Sequence, residues 1–222
     1  MSAAALIRRE IRDVDIELFE PSEFHYYQPL WTLVGAGADR KEKTKRRTID
    51  YLPKGVKWNQ RKVISFEPEQ NQITCEHNER HSYDYLIVAP GIQINWHMID
   101  GLNDTLGENG VCSIYGYKES EDTFNILKNF KGGKAVFTAG STPVKCGGAS
   151  QKIMYLADSY FRKGKIRDNT EILFASAGTT IFGVPGFKEA LQKVVDDKNI
   201  ETRFFHDLVS VNGQKKLAHF KV

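Results

Sequence analysis

Cys146 is the residue of this chain best placed to do chemistry. It stands in the run Gly140-Ser141-Thr142-Pro143-Val144-Lys145-Cys146-Gly147-Gly148, between a strand-like and a helix-like segment. A thiol reacts as the thiolate, which a nearby ammonium and the unpaired N–H groups of a helix start both favour. Lys145 is the adjoining ammonium, and a helix predicted to begin near Ala149 supplies the N–H groups. The two following glycines leave the sulfur uncrowded. A lone cysteine is otherwise a small buried apolar side chain. That reading is taken for Cys75 and Cys112, which have neither glycines nor a helix start beside them. The three cysteines lie too far apart for CxxC or zinc-ligand spacing, no metal site is expected, and their odd number argues against a disulfide framework.

Glu20 is the second such position. It ends a short strand-like run, Asp15-Ile16-Glu17-Leu18-Phe19-Glu20, and Pro21 follows. In a dinucleotide-binding βαβ unit, an acid at the end of the second strand bonds the ribose hydroxyls, roughly 20 residues after a Gly-rich loop that cradles the pyrophosphate. Counting back from Glu20 lands at or before Met1. The first strand and its loop are therefore expected to be absent, with residues 2–12 the remnant of the first helix. Taken alone, Glu20 is equally well a surface strand end.

A nicotinamide site would place a GxGxxG loop after the strand at 135–139. Thr142 stands where its second glycine belongs and Lys145 where its third belongs, and the next strand ends at Ser176 without an acid. The second half is expected to keep the winding of such a domain without the groups that hold NAD.

The elements that must position these residues follow from periodicity. Strands are expected near 15–20, 56–66 and 72–75, with Pro68 and Asn71 in a turn. Residues 83–89 (YDYLIVA) read as a strand buried on both faces, the habit of a parallel sheet, ending at Pro90-Gly91. Helix spacing spans 119–130, 149–163 and 187–197, alternating with strands at 135–139, 171–175 and 202–205. Tyr26 and Tyr27 are read as core. The fold class is α/β, with two Rossmann-like units of which the first is incomplete. The division is a partial dinucleotide-binding domain at 1–106, lacking its Gly-rich loop, and a second Rossmann-like domain at 107–222 that carries Cys146.

Composition narrows the function classes. A formal net charge of +3, with 31 basic and 28 acidic residues, gives no argument for nucleic acid. The basic run RKEKTKRR at 40–47 reads as a solvated loop. No apolar run approaches the roughly 20 residues needed to span a bilayer. Arg8, Arg9 and Arg12 suggest a presequence, but Glu10 and Asp13 interrupt it, and the segment reads as part of the fold.

The run EPSEFHYYQPLWTLVGAG, residues 20–37, and the run TPVKCGGASQKIMYL around Cys146 resemble the mitochondrial branch of the sulfide:quinone oxidoreductase family. That resemblance implies FAD as cofactor, Glu20 at the adenosine ribose, Gln28 on the FAD and the Val63 backbone at the adenine. Ala89-Pro90-Gly91 matches the turn that closes over the FAD; Gly91 allows close approach and Pro90 fixes the exit angle. It implies that Cys146 forms a persulfide from hydrogen sulfide and that a second cysteine passes electrons to the flavin, which reduces quinone, with a sulfane acceptor taking the sulfur. It implies a mitochondrial location and membrane contact through elements expected to lie outside this chain, as does the second redox cysteine. The chain is thus expected to be a member shortened at both ends. Its rivals are a non-catalytic remnant or interaction fragment and a type-II NADH dehydrogenase-like flavoprotein, against which the broken GxGxxG speaks.

Overall fold

The computed structural model describes residues 1–222. The chain forms two compact units, each built from two stretches: residues 1–27 with 45–91, and residues 28–44 with 92–222.

In the first unit α1 (Ser2–Glu10) leads into β1 (Ile16–Phe19). The helix is tied at its end by Arg8 Nη1, which donates to the Val14 carbonyl at 3.1 Å. β2 (Phe24–Tyr26) and β3 (Lys45–Arg47) form an antiparallel pair. β4 (Val56–Asn59) lies parallel to β1, with Ile16 opposite Val56 and Phe19 opposite Asn59. β5 (Val63–Glu67), β6 (Gln72–Cys75) and β7 (Arg80–Ser82) make an antiparallel sheet. The β5–β6 turn uses Pro68 to open a 3₁₀ turn and Asn71 at φ 52 to close it, a position that suits asparagine's tolerance of the left-handed region. Ile73 and Cys75 are buried beneath this sheet.

Residues 83–89 form no strand, contrary to the expectation. Tyr85, Ile87 and Val88 are exposed, Tyr85 almost fully. A doubly buried strand needs hydrogen-bonded neighbours and covered faces, and this unit contains a single parallel pair. Tyr27 is likewise exposed rather than core. The basic run is not simply solvated loop: it ends in β3, and Lys45 Nζ sits 3.7 Å from the Phe24 ring centroid.

The second unit begins with α2 (Trp31–Gly35), packed against α3 (Tyr117–Asn129). Trp31 Nε1 donates to the buried Thr44 hydroxyl at 3.2 Å. The Gly35-Ala36-Gly37 run has a steric cause. A Cβ on Gly35 would lie 2.7 Å from Ile114, and one on Gly37, at φ 71, would overlap the Phe124 ring.

β8 (Gly133–Ala139), α4 (Ala149–Lys163), β9 (Thr170–Ser176), α5 (Phe187–Asp197) and β10 (Glu201–Arg203) then alternate. β9 lies parallel between β8 and β10. This is the Rossmann-like winding expected, and α4 and α5 match the predicted spans. Met154, Ala157 and Phe161 of α4 pack with Ile172, Phe174 and Val195 in the core. Burial of large side chains such as Met154 and Phe161 stabilises by about 2–3 kcal/mol each, so α4 is firmly seated on the sheet. β11 (Asp207–Asn212) and β12 (Leu217–Lys221) form a hairpin not foreseen from the sequence.

A charged cluster locks the far end of α4. Asp158 is fully buried and accepts bonds from Arg162, Arg167 Nε (2.8 Å) and Lys198 Nζ (2.7 Å). Burial alone would raise its pKa, but the three cations together hold its carboxyl below the usual aspartate value. Arg167 also donates to the Thr170, Lys198 and Asn199 carbonyls, joining α4, β9 and the end of α5.

Candidate active site

Cys146 lies in the loop from the C-terminal end of β8 to the first turn of α4, the end of a parallel sheet at which ligands bind in open α/β folds. Both sides of the loop are anchored. Behind it, the Ser141 backbone N–H donates to Asp207 Oδ1 at 3.1 Å, and the Ser141 hydroxyl donates to Oδ2. Ahead of it, the Ala149 N–H donates to the Cys146 carbonyl at 3.0 Å. Between these anchors Cys146 is held at φ 70. Left-handed backbone at a residue bearing a Cβ persists only where its surroundings impose it, and such positions cluster at functional sites.

The sulfur is accessible. Cys146 is exposed and free, and a Cβ built on Gly147 would meet nothing within 4 Å. No side chain caps the start of α4, so its first N–H groups are left to the loop. Lys152, in the second turn of that helix, donates from Nζ to Cys146 Sγ at 3.3 Å. Lys145, the ammonium singled out by sequence adjacency, makes no such bond. Tyr115 shares the neighbourhood: burial first, and then negative charge at Cys146, pushes its phenol above the ordinary value. The arrangement leaves the Cys146 sulfur open to solvent beside one ammonium.

The other cysteines differ. Cys75 is fully buried, and desolvation raises its thiol. Cys112 is exposed, which corrects the expectation of burial. The protein mass around it nevertheless desolvates the thiol and pushes it up, with a bond to Thr123 acting the other way.

The loop lacks the glycines of a dinucleotide cradle. Ser176 ends β9 where an acid would hold a ribose, and its hydroxyl accepts from the Gly178 N–H at 3.1 Å. A charged cleft of about 850 Å³ lined by Gly133, Arg167, Thr170 and Glu201 lies at the N-terminal end of the same strands, away from Cys146.

In the first unit Glu20 directly follows β1 and is half-buried. Its backbone is fixed by its own N–H to the Asn59 carbonyl (3.2 Å) and by Trp58 Nε1 to its carbonyl (2.9 Å). Oε1 accepts from the Ser22 N–H at 2.8 Å, leaving Oε2 as an acceptor at the strand's end. Val63 opens β5 and is half-buried. Ala89 and Gly91 are exposed, with Gly91 at φ 79. Gln28 opens the 3₁₀ turn before α2 in the second unit and is half-buried. Glu20, Val63, Ala89 and Gly91 thus belong to one unit, Gln28 and Cys146 to the other. For FAD, Glu20 and Gly91 have the carboxylate and the uncovered backbone that suit an adenosine end. No glycine precedes Gly35 in the sequence, so a pyrophosphate cradle ahead of β1 is not among these residues.

Sequence reasoning missed Lys152, Tyr115 and Asp207. Lys152 had a readable signal, six residues beyond Cys146 and one helical turn past Gly148. Asp207 had none, because its role depends on a hairpin 66 residues downstream of Ser141.

No protein-family profile matches the chain. It is 41% identical to the mitochondrial sulfide:quinone oxidoreductase of Dictyostelium discoideum, over 100% of this chain and 49% of that protein. It is 40% identical to the mouse mitochondrial sulfide:quinone oxidoreductase, with the same coverage. The chain therefore spans about half the length of the curated relatives it matches. In structure it resembles the sulfide:quinone oxidoreductase of Aquifex aeolicus, with a TM-score of 0.81 and 17% identity over 99% of this chain and 53% of that one. It resembles Plasmodium falciparum NDH2 less well, with a TM-score of 0.61 and 17% identity over 91% of this chain and 45% of that one.

Proposed function

We propose, from the chain's homology along its whole length to the mitochondrial sulfide:quinone oxidoreductases, that it carries the sulfur-handling chemistry of that family with Cys146 as the sulfur carrier. The observation that supports this most is the solvent-open Cys146, held at φ 70 beside Lys152, in the loop where a nicotinamide domain would keep its glycines. Hydrogen sulfide is the substrate, quinone the electron acceptor and a sulfane acceptor the sulfur's destination. FAD, when bound, supplies the two-electron relay from sulfur to quinone.

Glu20 would hold the adenosine ribose through Oε2, with Gln28, the Val63 backbone and the uncovered turn Ala89 to Gly91 completing the cofactor contacts. In functional terms the FAD half is residues 1–106 and the sulfur half 107–222. Sulfur uptake is thiol–disulfide exchange. HS⁻ attacks Cys146 Sγ in a disulfide with a partner thiol R, giving Cys146–S–SH, while the broken S–S bond leaves its electron pair on R–S⁻. The three cysteines of the chain are unpaired in the structure, and R is assigned to a sulfur outside them. Ser141 and Asp207 hold the loop, and the open side at Gly147 admits the small anion. The relatives' names support a mitochondrial site of action, and contact with its inner membrane is part of the same proposal. No helix is long and apolar enough to cross a membrane.

The test is persulfide labelling after preparing the chain as a mixed disulfide and adding sodium sulfide. Wild type should label chiefly at Cys146 and Cys146→Ser should lose most of the label; total labelling unchanged by the substitution rejects the assignment. A second reading is a non-catalytic fragment, for which the exposed apolar stretch at 85–88 speaks. It predicts a colourless protein with no flavin absorbance after incubation with FAD.

A further inference from the structure

Lys152 is exposed and belongs to no ion pair; its hydrogen bond is to the Cys146 sulfur. The contact has a rigid seat. On either side of Lys152, Gln151 and Ile153 are buried, and Gln151 Nε2 donates to the Ile181 carbonyl. The Ala149 N–H holds the Cys146 carbonyl, and the Lys152 N–H donates to the Gly148 carbonyl at 3.0 Å. One helical turn therefore fixes both partners. Lys152 Cε passes beside Gly148, where a Cβ would sit 3.9 Å from it and 4.0 Å from the Phe182 ring.

We propose that Lys152 is the positioning residue of the sulfur carrier: its ammonium holds the Cys146 thiolate at the open mouth of the loop and favours anionic sulfur species as the incoming partner. The inference rests on Cys146 being that carrier. A charge-assisted bond to a thiolate keeps the sulfur in one place without covering it. Once the persulfide forms, the negative charge moves to its outer sulfur, within the ammonium's field. The site faces water, so the effect is screened and moderate.

The test measures the alkylation rate of Cys146 by neutral iodoacetamide and anionic iodoacetate in the whole chain. Lys152→Met should slow the iodoacetamide reaction at neutral pH about two- to fivefold. It should also lower the iodoacetate-to-iodoacetamide ratio, a difference that fades with added salt. Lys152→Arg should restore the ratio. A merely structural lysine would leave the ratio between the two reagents alone. Wild-type rates and ratio in Lys152→Met overturn the proposal, as does a loss produced instead by Lys145→Met alone. Sulfide labelling of Cys146 in the wild type is measured alongside. If it is absent, the carrier reading fails; if it is present while Lys152→Met is indifferent, this inference alone fails.

Discussion

Left-handed backbone at a non-glycine residue costs on the order of 1–3 kcal/mol, and Cys146 bears that cost at φ 70. Glycine at the same place would relieve it. Cys146→Gly is therefore expected to raise stability by about 1 kcal/mol in a denaturant titration while removing the sulfide label that Cys146 carries. A less stable variant would mean that the cysteine side chain packs rather than waits for substrate. At this scale much was legible in the sequence: a cysteine among glycines, before a helix, with a lysine near. Sequence alone points to the wrong lysine, because adjacency in sequence is not adjacency in a loop. Lys145 is next to Cys146 along the chain, yet the bond comes from Lys152, folded back from α4. Glu20 was legible as a strand-ending acid, whereas its bond from the Ser22 N–H was not.

Elements were legible where their partners lie close in the chain. The spans of α4 and α5 follow from 3.6-residue periodicity, and β8 and β9 from apolar runs bounded by turn residues. Residues 83–89 misled because composition reports what a strand could bury and says nothing of whether a neighbour exists to pair with it. The β11–β12 hairpin was passed over because its strands are half-exposed and carry little apolar contrast. The cluster at Asp158 joins three elements through one buried carboxylate, and no local pattern announces it. Asp158→Asn should cost about 3 kcal/mol, read as a lowered midpoint in urea; an unchanged midpoint would make the cluster ornamental. The sign of its pH dependence follows from its depressed pKa. The stabilisation is complete above the unfolded aspartate value, near pH 4, and is lost as pH falls through the lower folded value. Acid unfolding of the wild type should accordingly begin below about pH 4, and the pH dependence should flatten in Asp158→Asn.

For the whole molecule, the fold class was readable from alternating strands and helices, and homology to the sulfide:quinone oxidoreductases extends over all 222 residues. The proposed cofactor contacts belong to this scale. Glu20→Ala should weaken FAD binding roughly tenfold, the worth of one charge-assisted hydrogen bond, in a titration followed by flavin fluorescence. Equal affinity would remove Glu20 from the ribose.

Which sulfur reacts is read most directly by peptide-resolved mass spectrometry. After the chain is oxidised to mixed disulfides and exposed to sodium sulfide, one extra sulfur atom should appear on the peptide carrying Cys146, ahead of those carrying Cys75 and Cys112. Extra sulfur spread evenly over the three peptides, or gathered on Cys112, would contradict the account.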